Sequence, residues 1–89
     1  MRNGLKIQWG TKTVPAHSST TIQYLEITSA DGLLAITDLN RINLFVSETP
    51  VGSAVNHCCD WDKGRSTVSK LVVCSTCGGG DLHWFLIGY

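Results

Sequence analysis

The chain has 89 residues, seven basic and seven acidic, so its formal net charge is zero. That length is one domain, residues 1–89, and a domain this small hides only about 60–65% of its unfolded surface. Arg2, Lys6, Lys12, Arg41, Lys63, Arg65 and Lys70 are scattered rather than clustered, which argues against a nucleic-acid partner. No apolar run approaches the roughly 20 residues of a bilayer-spanning helix, so no membrane insertion is expected. Met1-Arg2-Asn3-Gly4 leads into alternating polar and apolar residues rather than a signal peptide. With 43% hydrophobic and 16% charged residues, the composition is that of a folded domain.

Period-two alternation dominates from the first element onward, as in half-buried strands. Leu5, Ile7 and Trp9 fall on one face of the first segment, and Lys6 and Gln8 on the other. The apolar set is expected to point inward, with Trp9 in the core. Val14 to Thr21 reads as a connection. Thr20 to Ile27 is the second strand, ended by a turn at Asp31-Gly32. Leu33 to Thr49 has two readings. Ile36, Leu39, Ile42 and Val46 lie at near-helical spacing, but Asp38-Leu39-Asn40-Arg41 reads more easily as a turn between short strands. Ile42, Leu44 and Val46 then alternate with Asn43, Phe45 and Ser47.

Asp62-Lys63-Gly64-Arg65 is the next turn signal, followed by a strand over Val68 to Cys74. Gly78-Gly79-Gly80-Asp81 leads into the last strand, Leu82 to Tyr89. Nine threonines and many Val and Ile residues suit a pleated surface. Turns recur every 10–20 residues or so, which points to a small all-β, antiparallel β-sandwich rather than βαβ units. Both chain ends are aromatic and strand-like, and both are expected inside a sheet. Chain ends usually fray unless tied down, so a compact module closing a longer polypeptide is expected.

Four cysteines occur as Cys58-Cys59 and Cys74-x-x-Cys77, with His57 and His83 nearby. Zinc, a disulfide and plain buried thiols are the three readings. Adjacent cysteines point to opposite faces of a strand, which spoils the zinc spacing. If the hairpin turns at Lys63-Gly64, Cys59 and Cys74 are out of register for a bridge. Small buried hydrophobes are the favoured reading, with no metal and no cofactor. Asp60-Trp61-Asp62 lacks the spacing of a calcium loop. It has two readings: an exposed aromatic flanked by carboxylates, suited to stacking on a sugar, or a core tryptophan under a solvated hairpin tip. The Gly-Gly-Gly run lacks the Lys-Ser or Lys-Thr of a phosphate loop, and no serine sits in a Gly-x-Ser-x-Gly elbow. His17, His57 and His83 are spread along the chain, so no catalytic residues are assigned.

Three stretches together resemble a known family. Gly-Leu-x-Ile-Gln-Trp-Gly (4–10), Ser-Ser-Thr-Thr entering a strand (18–21) and the terminal Trp-Phe-Leu-Ile-Gly-Tyr (84–89) look like the C-terminal tip domain of bacteriophage tail fibres. Contractile bacteriocin fibres carry a similar domain. The resemblance covers the two ends; the middle matches in length and strand rhythm alone. It implies an H-type-lectin-like sandwich that forms a homotrimer at the distal end of a virion tail fibre, assembled in the bacterial cytoplasm. It further implies non-catalytic attachment to a host-cell glycan or outer-surface protein. Loops on a rigid scaffold carry such contacts, and Asn40, Arg41, Asp60, Trp61, Asp62, Lys63 and Arg65 are the candidates. Trp9, Trp84 and Phe85 are assigned to the structural core. The rival readings are a structural trimerisation or folding cap that touches no receptor, a small polysaccharide hydrolase, and a free-standing lectin.

Overall fold

The computed structural model describes residues 5–15, 21–50, 59–76 and 79–89. Six strands fill most of these segments: β1 (Lys6–Val14), β2 (Gln23–Ile27), β3 (Ile42–Pro50), β4 (Cys59–Thr67), β5 (Lys70–Ser75) and β6 (Gly80–Gly88). They form two three-stranded antiparallel sheets, in the orders β1-β6-β3 and β2-β5-β4. Among the described residues there is no α-helix, and no helix long and apolar enough to cross a membrane. The two aromatic ends of the sequence are neighbours. β1 pairs with β6 without a break from Lys6↔Gly88 to Val14↔Gly80. The last strand is thus the middle strand of its sheet, held by β1 on one side and β3 on the other.

Both sheets contribute to one apolar interior. Leu82, Trp84 and Leu86 on β6, Ile42 and Leu44 on β3 and Val14 on β1 meet Leu25, Ile27, Leu71 and Val73 of the second sheet. Leu33, from the connection after β2, joins the same cluster. The period of two read from β6 is therefore real: alternate residues from Leu82 to Gly88 are buried.

The phase of β1 is the reverse of the expected one. Trp9 is 73% exposed and Gln8 is buried at 7%. Leu5 and Ile7 face outward with Trp9. Phe85 is also on the outer face, at 39% exposure, whereas Trp84 is in the core at 2%. Of the three residues assigned to the core, the structure puts Trp84 alone there. The reason is steric. Gly10 lies opposite Trp84, and a Cβ at Gly10 would stand 2.7 Å from the Trp84 indole ring. One large indole fills this part of the interior, and the facing strand offers a bare backbone to receive it.

The polar residues on the inner side of β1 have partners. Gln8 Oε1 accepts the Leu34 backbone N–H at 2.7 Å. Lys12 Nζ reaches both Asp31 oxygens, at 2.9 and 3.1 Å. Beneath β1 lies the connection after β2, and these two side chains clamp it. Asp31 also closes a capping box around a one-turn 3-10 helix, Ser29–Asp31. Its Oδ2 accepts the Thr28 N–H at 3.0 Å, and the Thr28 hydroxyl accepts the Ala30 N–H at 3.3 Å. Gly32 ends that turn at φ 93°, a left-handed conformation that glycine adopts without strain.

Burial alone would raise the Asp31 carboxyl, but the Thr28 hydrogen bonds and the Lys12 ammonium outweigh it and hold it below the usual carboxylate range. A depressed folded-state pKa stabilises the fold above the unfolded value, near 3.8, and that stabilisation fades as pH falls through the lower folded one. Asp31→Asn should therefore lower the melting temperature at pH 6 and flatten its decline below pH 4. An unchanged acid limb in a calorimetric pH series would contradict this clamp.

One open reading is decided and one expectation is corrected. No α-helix occupies residues 33–49; a one-turn 3-10 helix, Leu39–Arg41, leads straight into β3. Asp38 caps it by accepting the Asn40 N–H at 2.9 Å. This agrees with the turn reading of Asp38 to Arg41, but not with a pair of short strands around it: none directly precedes the turn and the nine-residue β3 follows. Asp62 to Arg65 is not a hairpin turn. β4 continues through it to Thr67, with a register shift between Asp62 and Thr67, and the chain reverses at Val68-Ser69. Ser66 stitches the shifted stretch. Its hydroxyl donates to the Asp62 carbonyl at 2.7 Å and accepts from the Val72 N–H at 2.9 Å and from the Trp61 indole N–H at 3.0 Å.

Candidate binding site

The irregular half of β4 and the Leu39–Arg41 turn lie against each other, which gathers several of the proposed contact residues. Lys63 Nζ donates to Asn40 Oδ1 at 2.7 Å, joining the two elements. The Asp62 carboxylate accepts from the Arg65 backbone N–H at 3.3 Å and from Arg65 Nη1 at 2.9 Å. The Arg65 guanidinium then lies over the Tyr24 ring, 4.4 Å from its centroid. Asp60 belongs to the same outer surface, in register with Cys74, which in turn faces Tyr24. The result is a strip of alternating charge that runs from the Leu39–Arg41 turn over the irregular half of β4 to Tyr24 on β2. A stacked cation–aromatic pair immobilises the longest side chain in it.

Two of the seven residues stand apart. Trp61 turns inward, packs against the core cluster and has its N–H taken up by Ser66. It is partly buried against the core rather than standing open to a sugar, as in the core reading of this tryptophan. Arg41 serves the end of the other sheet, with its guanidinium 5.4 Å from the Tyr89 ring centroid and its Nε 3.8 Å from Asp38 Oδ2. Sequence reasoning missed Tyr24 and Tyr89, the two rings beneath the arginines. A period of two sets Tyr24 on one face of β2 with Glu26, but nothing local ties it to Arg65, 41 positions away in sequence.

The strip contributes little to stability. Exposed ion pairs are each worth about 0–1 kcal/mol, and Arg65 is more than half exposed. What the pairs do is fix the geometry of the charged groups. A surface ordered at so small an energetic gain is available for recognition.

Cys59 and Cys74 are unpaired thiols. The register Cys59↔Ser75 and Asp60↔Cys74 puts them one row apart on neighbouring strands, facing opposite sides of the sheet. Cys59 packs against the core. Burial pushes its thiol well above the usual range, and the neighbouring Glu48 carboxylate adds to the shift, with smaller contributions from Asp60 and Cys74. A thiol held protonated in this way is a poor nucleophile and a poor metal ligand. No group of three or more His, Cys, Asp or Glu side chains converges on one point among the described residues. His17, His57, Cys58 and Cys77 lie outside them. His83 stands between two threonines, with Nδ1 3.3 Å from Thr11 Oγ1 and Nε2 3.1 Å from Thr49 Oγ1.

Neither a family model nor any curated protein or solved structure matches the chain. Its chemistry must be read from its own residues. These are a charged, pre-ordered strip on one sheet, an outer face on the other whose one strand-borne charge is Asp81 at its end, and a half-buried cysteine whose thiol is pushed toward its protonated form.

Proposed function

We propose that the chain is a non-catalytic attachment module, the tip domain of a phage tail fibre. In this reading it is a β-sandwich of H-type-lectin-like architecture and works as a homotrimer. It adsorbs reversibly to a glycan or protein on a bacterial surface, with no bond made or broken. The observation that carries the reading is the strip Asn40, Lys63, Asp62 and Arg65, where donors and acceptors alternate in fixed positions on an open surface. Such a surface suits hydroxyl and carboxylate groups of a surface polysaccharide. Three copies linked in one fibre add avidity, so a millimolar single-site affinity suffices to hold a virion.

The strip makes a direct prediction. Lys63→Ala and Arg65→Ala, each at an exposed side chain, should leave the melting temperature within about 2–4 °C of the parent, since exposed positions cost at most about 0.5 kcal/mol. Together they should lower retention on a bacterial-glycan array by tenfold or more. Equal retention by the parent and the double variant would move the contact surface elsewhere. No retention by the parent would favour the structural cap. That second reading draws support from the exposed aromatic face opposite the strip, which suits assembly.

A further inference from the structure

The outer face of the β1-β6-β3 sheet differs from the rest of the surface. Its outward side chains form rows across three strands. Ile7, Ile87 and Asn43 make one row, Trp9, Phe85 and Phe45 the next, and Thr11, His83 and Ser47 the third. None of these nine is charged. The outer face of the other sheet, by contrast, carries Glu26, Lys70, Asp60 and Asp62. Trp9 is 73% exposed and Phe45 is 60% exposed. Phe45 and Phe85 lie with ring centroids 6.4 Å apart, and Trp9 is the cross-strand neighbour of Phe85 on its other side.

A full aromatic side chain presents roughly 150–250 Å², so these three leave roughly 300–400 Å² uncovered. That already reaches the size of the largest patch on an ordinary monomer, before Ile7, Ile87 and Leu5 are added. Nine-residue strands give a face about 30 Å long. With its polar rows included, it has the footprint of the roughly 800 Å² per partner that a stable contact needs. A fourth row, Thr13, Asp81 and Thr49, puts the face's one strand-borne charge at its rim, and an uncharged aromatic centre inside a polar rim is the composition of an interface.

The polar row favours a protein surface over a sugar. Both His83 ring nitrogens are already engaged by Thr11 and Thr49. These groups are satisfied inside the sheet, so covering them costs little. They also have little left to offer to the hydroxyls of a glycan. The partner that matches this face in size and apolar character, and is always present at equal concentration, is this chain itself, with the faces of three copies turned toward one threefold axis so that each meets the other two.

We infer that copies of this chain meet through the outer face of the β1-β6-β3 sheet, with Trp9 and Phe45 as its apolar anchors. The inference rests on the oligomeric reading above and locates its contact. Sedimentation velocity at micromolar concentration tests it on the 89-residue chain, with Trp9→Glu and Phe45→Glu as face variants and Thr67→Glu, exposed on the other sheet, as control. The parent and the control should sediment as trimers. Each face variant should fall to one third of that mass with an unchanged far-ultraviolet circular dichroism spectrum. Should a glutamate variant unfold, Trp9→Thr and Phe45→Thr replace it, since threonine suits an exposed strand. In the parent itself, acrylamide quenching of tryptophan fluorescence should rise on dilution as Trp9 is uncovered. A trimer that survives both face substitutions overturns the location and leaves the oligomeric reading standing. A parent that is monomeric throughout overturns both, and the face is then open to a different partner.

Discussion

Trp84→Ala lowers the stability of this fold by about 3–5 kcal/mol, the usual cost of emptying a buried aromatic site. The indole is 2% exposed and lies at the centre of the middle strand, touching the core that both sheets share. Against a total of about 5–15 kcal/mol for a domain, that loss is a large share. It should appear in urea unfolding as a midpoint shift with little change in slope. Trp9→Ala, one strand away, costs the chain's own fold no more than about 0.5 kcal/mol, because its side chain is on the surface. Any larger effect of Trp9→Ala should depend on protein concentration, as lost assembly does. Trp84→Phe is the informative intermediate. The indole N–H has no hydrogen-bond partner among the described residues, so phenylalanine gives up volume but no bond. Gly10→Ala tests the same fit from the other side: its new methyl meets the Trp84 ring, and overpacking of this kind costs about 1–3 kcal/mol. Equal losses for Trp9→Ala and Trp84→Ala in dilute solution would contradict the assignment of inner and outer faces.

Glu48→Leu, in the opposite direction, should stabilise the protein by about 1–3 kcal/mol. Glu48 sits on the inner side of β3, alternating with Leu44 and Val46 toward the core, and is 9% exposed. Its carboxylate oxygens meet no N–H or O–H donor among the described residues, and the Cys59 thiol beside them is a weak donor at best. A buried acceptor so poorly satisfied costs about 1–3 kcal/mol, and an apolar side chain of similar size removes that penalty. For a domain of this size the gain corresponds to roughly 4–8 °C per kcal/mol in melting temperature. Glu48→Gln keeps the polar atoms and should gain much less. The Cys59 thiol should become easier to deprotonate in Glu48→Leu, since a nearby carboxylate no longer opposes the thiolate. Its alkylation at pH 9 should quicken. A lower melting temperature for Glu48→Leu than for the parent would show that the carboxylate is satisfied and needed.

Much of the architecture could be read from the amino-acid order. Alternation gave the strands, the Asp31-Gly32 pair gave a turn, and the aromatic ends did prove to be paired strands. What failed was phase and reach. Leu5-Lys6-Ile7-Gln8-Trp9 has the right period, but period alone does not say which face meets the core. Gly10 decided that, because only a glycine admits the Trp84 ring, and the polar inner residues Gln8 and Lys12 found partners in a connection far along the chain. At Asp62-Lys63-Gly64-Arg65 the local turn chemistry was strong, yet Ser66 and the indole of Trp61 absorb the irregularity as a shifted stretch of strand. The charged strip was half legible: Asn40, Asp62, Lys63 and Arg65 were identified by type. Their pairing across elements, and the tyrosines beneath the arginines, depend on strand order and cannot be seen in a linear chain.

Nuclear Overhauser contacts across β6 test most directly the placement on which the rest depends. The backbone and ring protons of Trp84 should show contacts to Gly10, Leu44 and Leu86, and the Phe85 ring should show contacts to Trp9 on one side and Phe45 on the other. Contacts from the Trp9 ring to Leu44 or Leu82, in place of those to Phe85, would turn β1 over, and the proposed oligomer face would go with it.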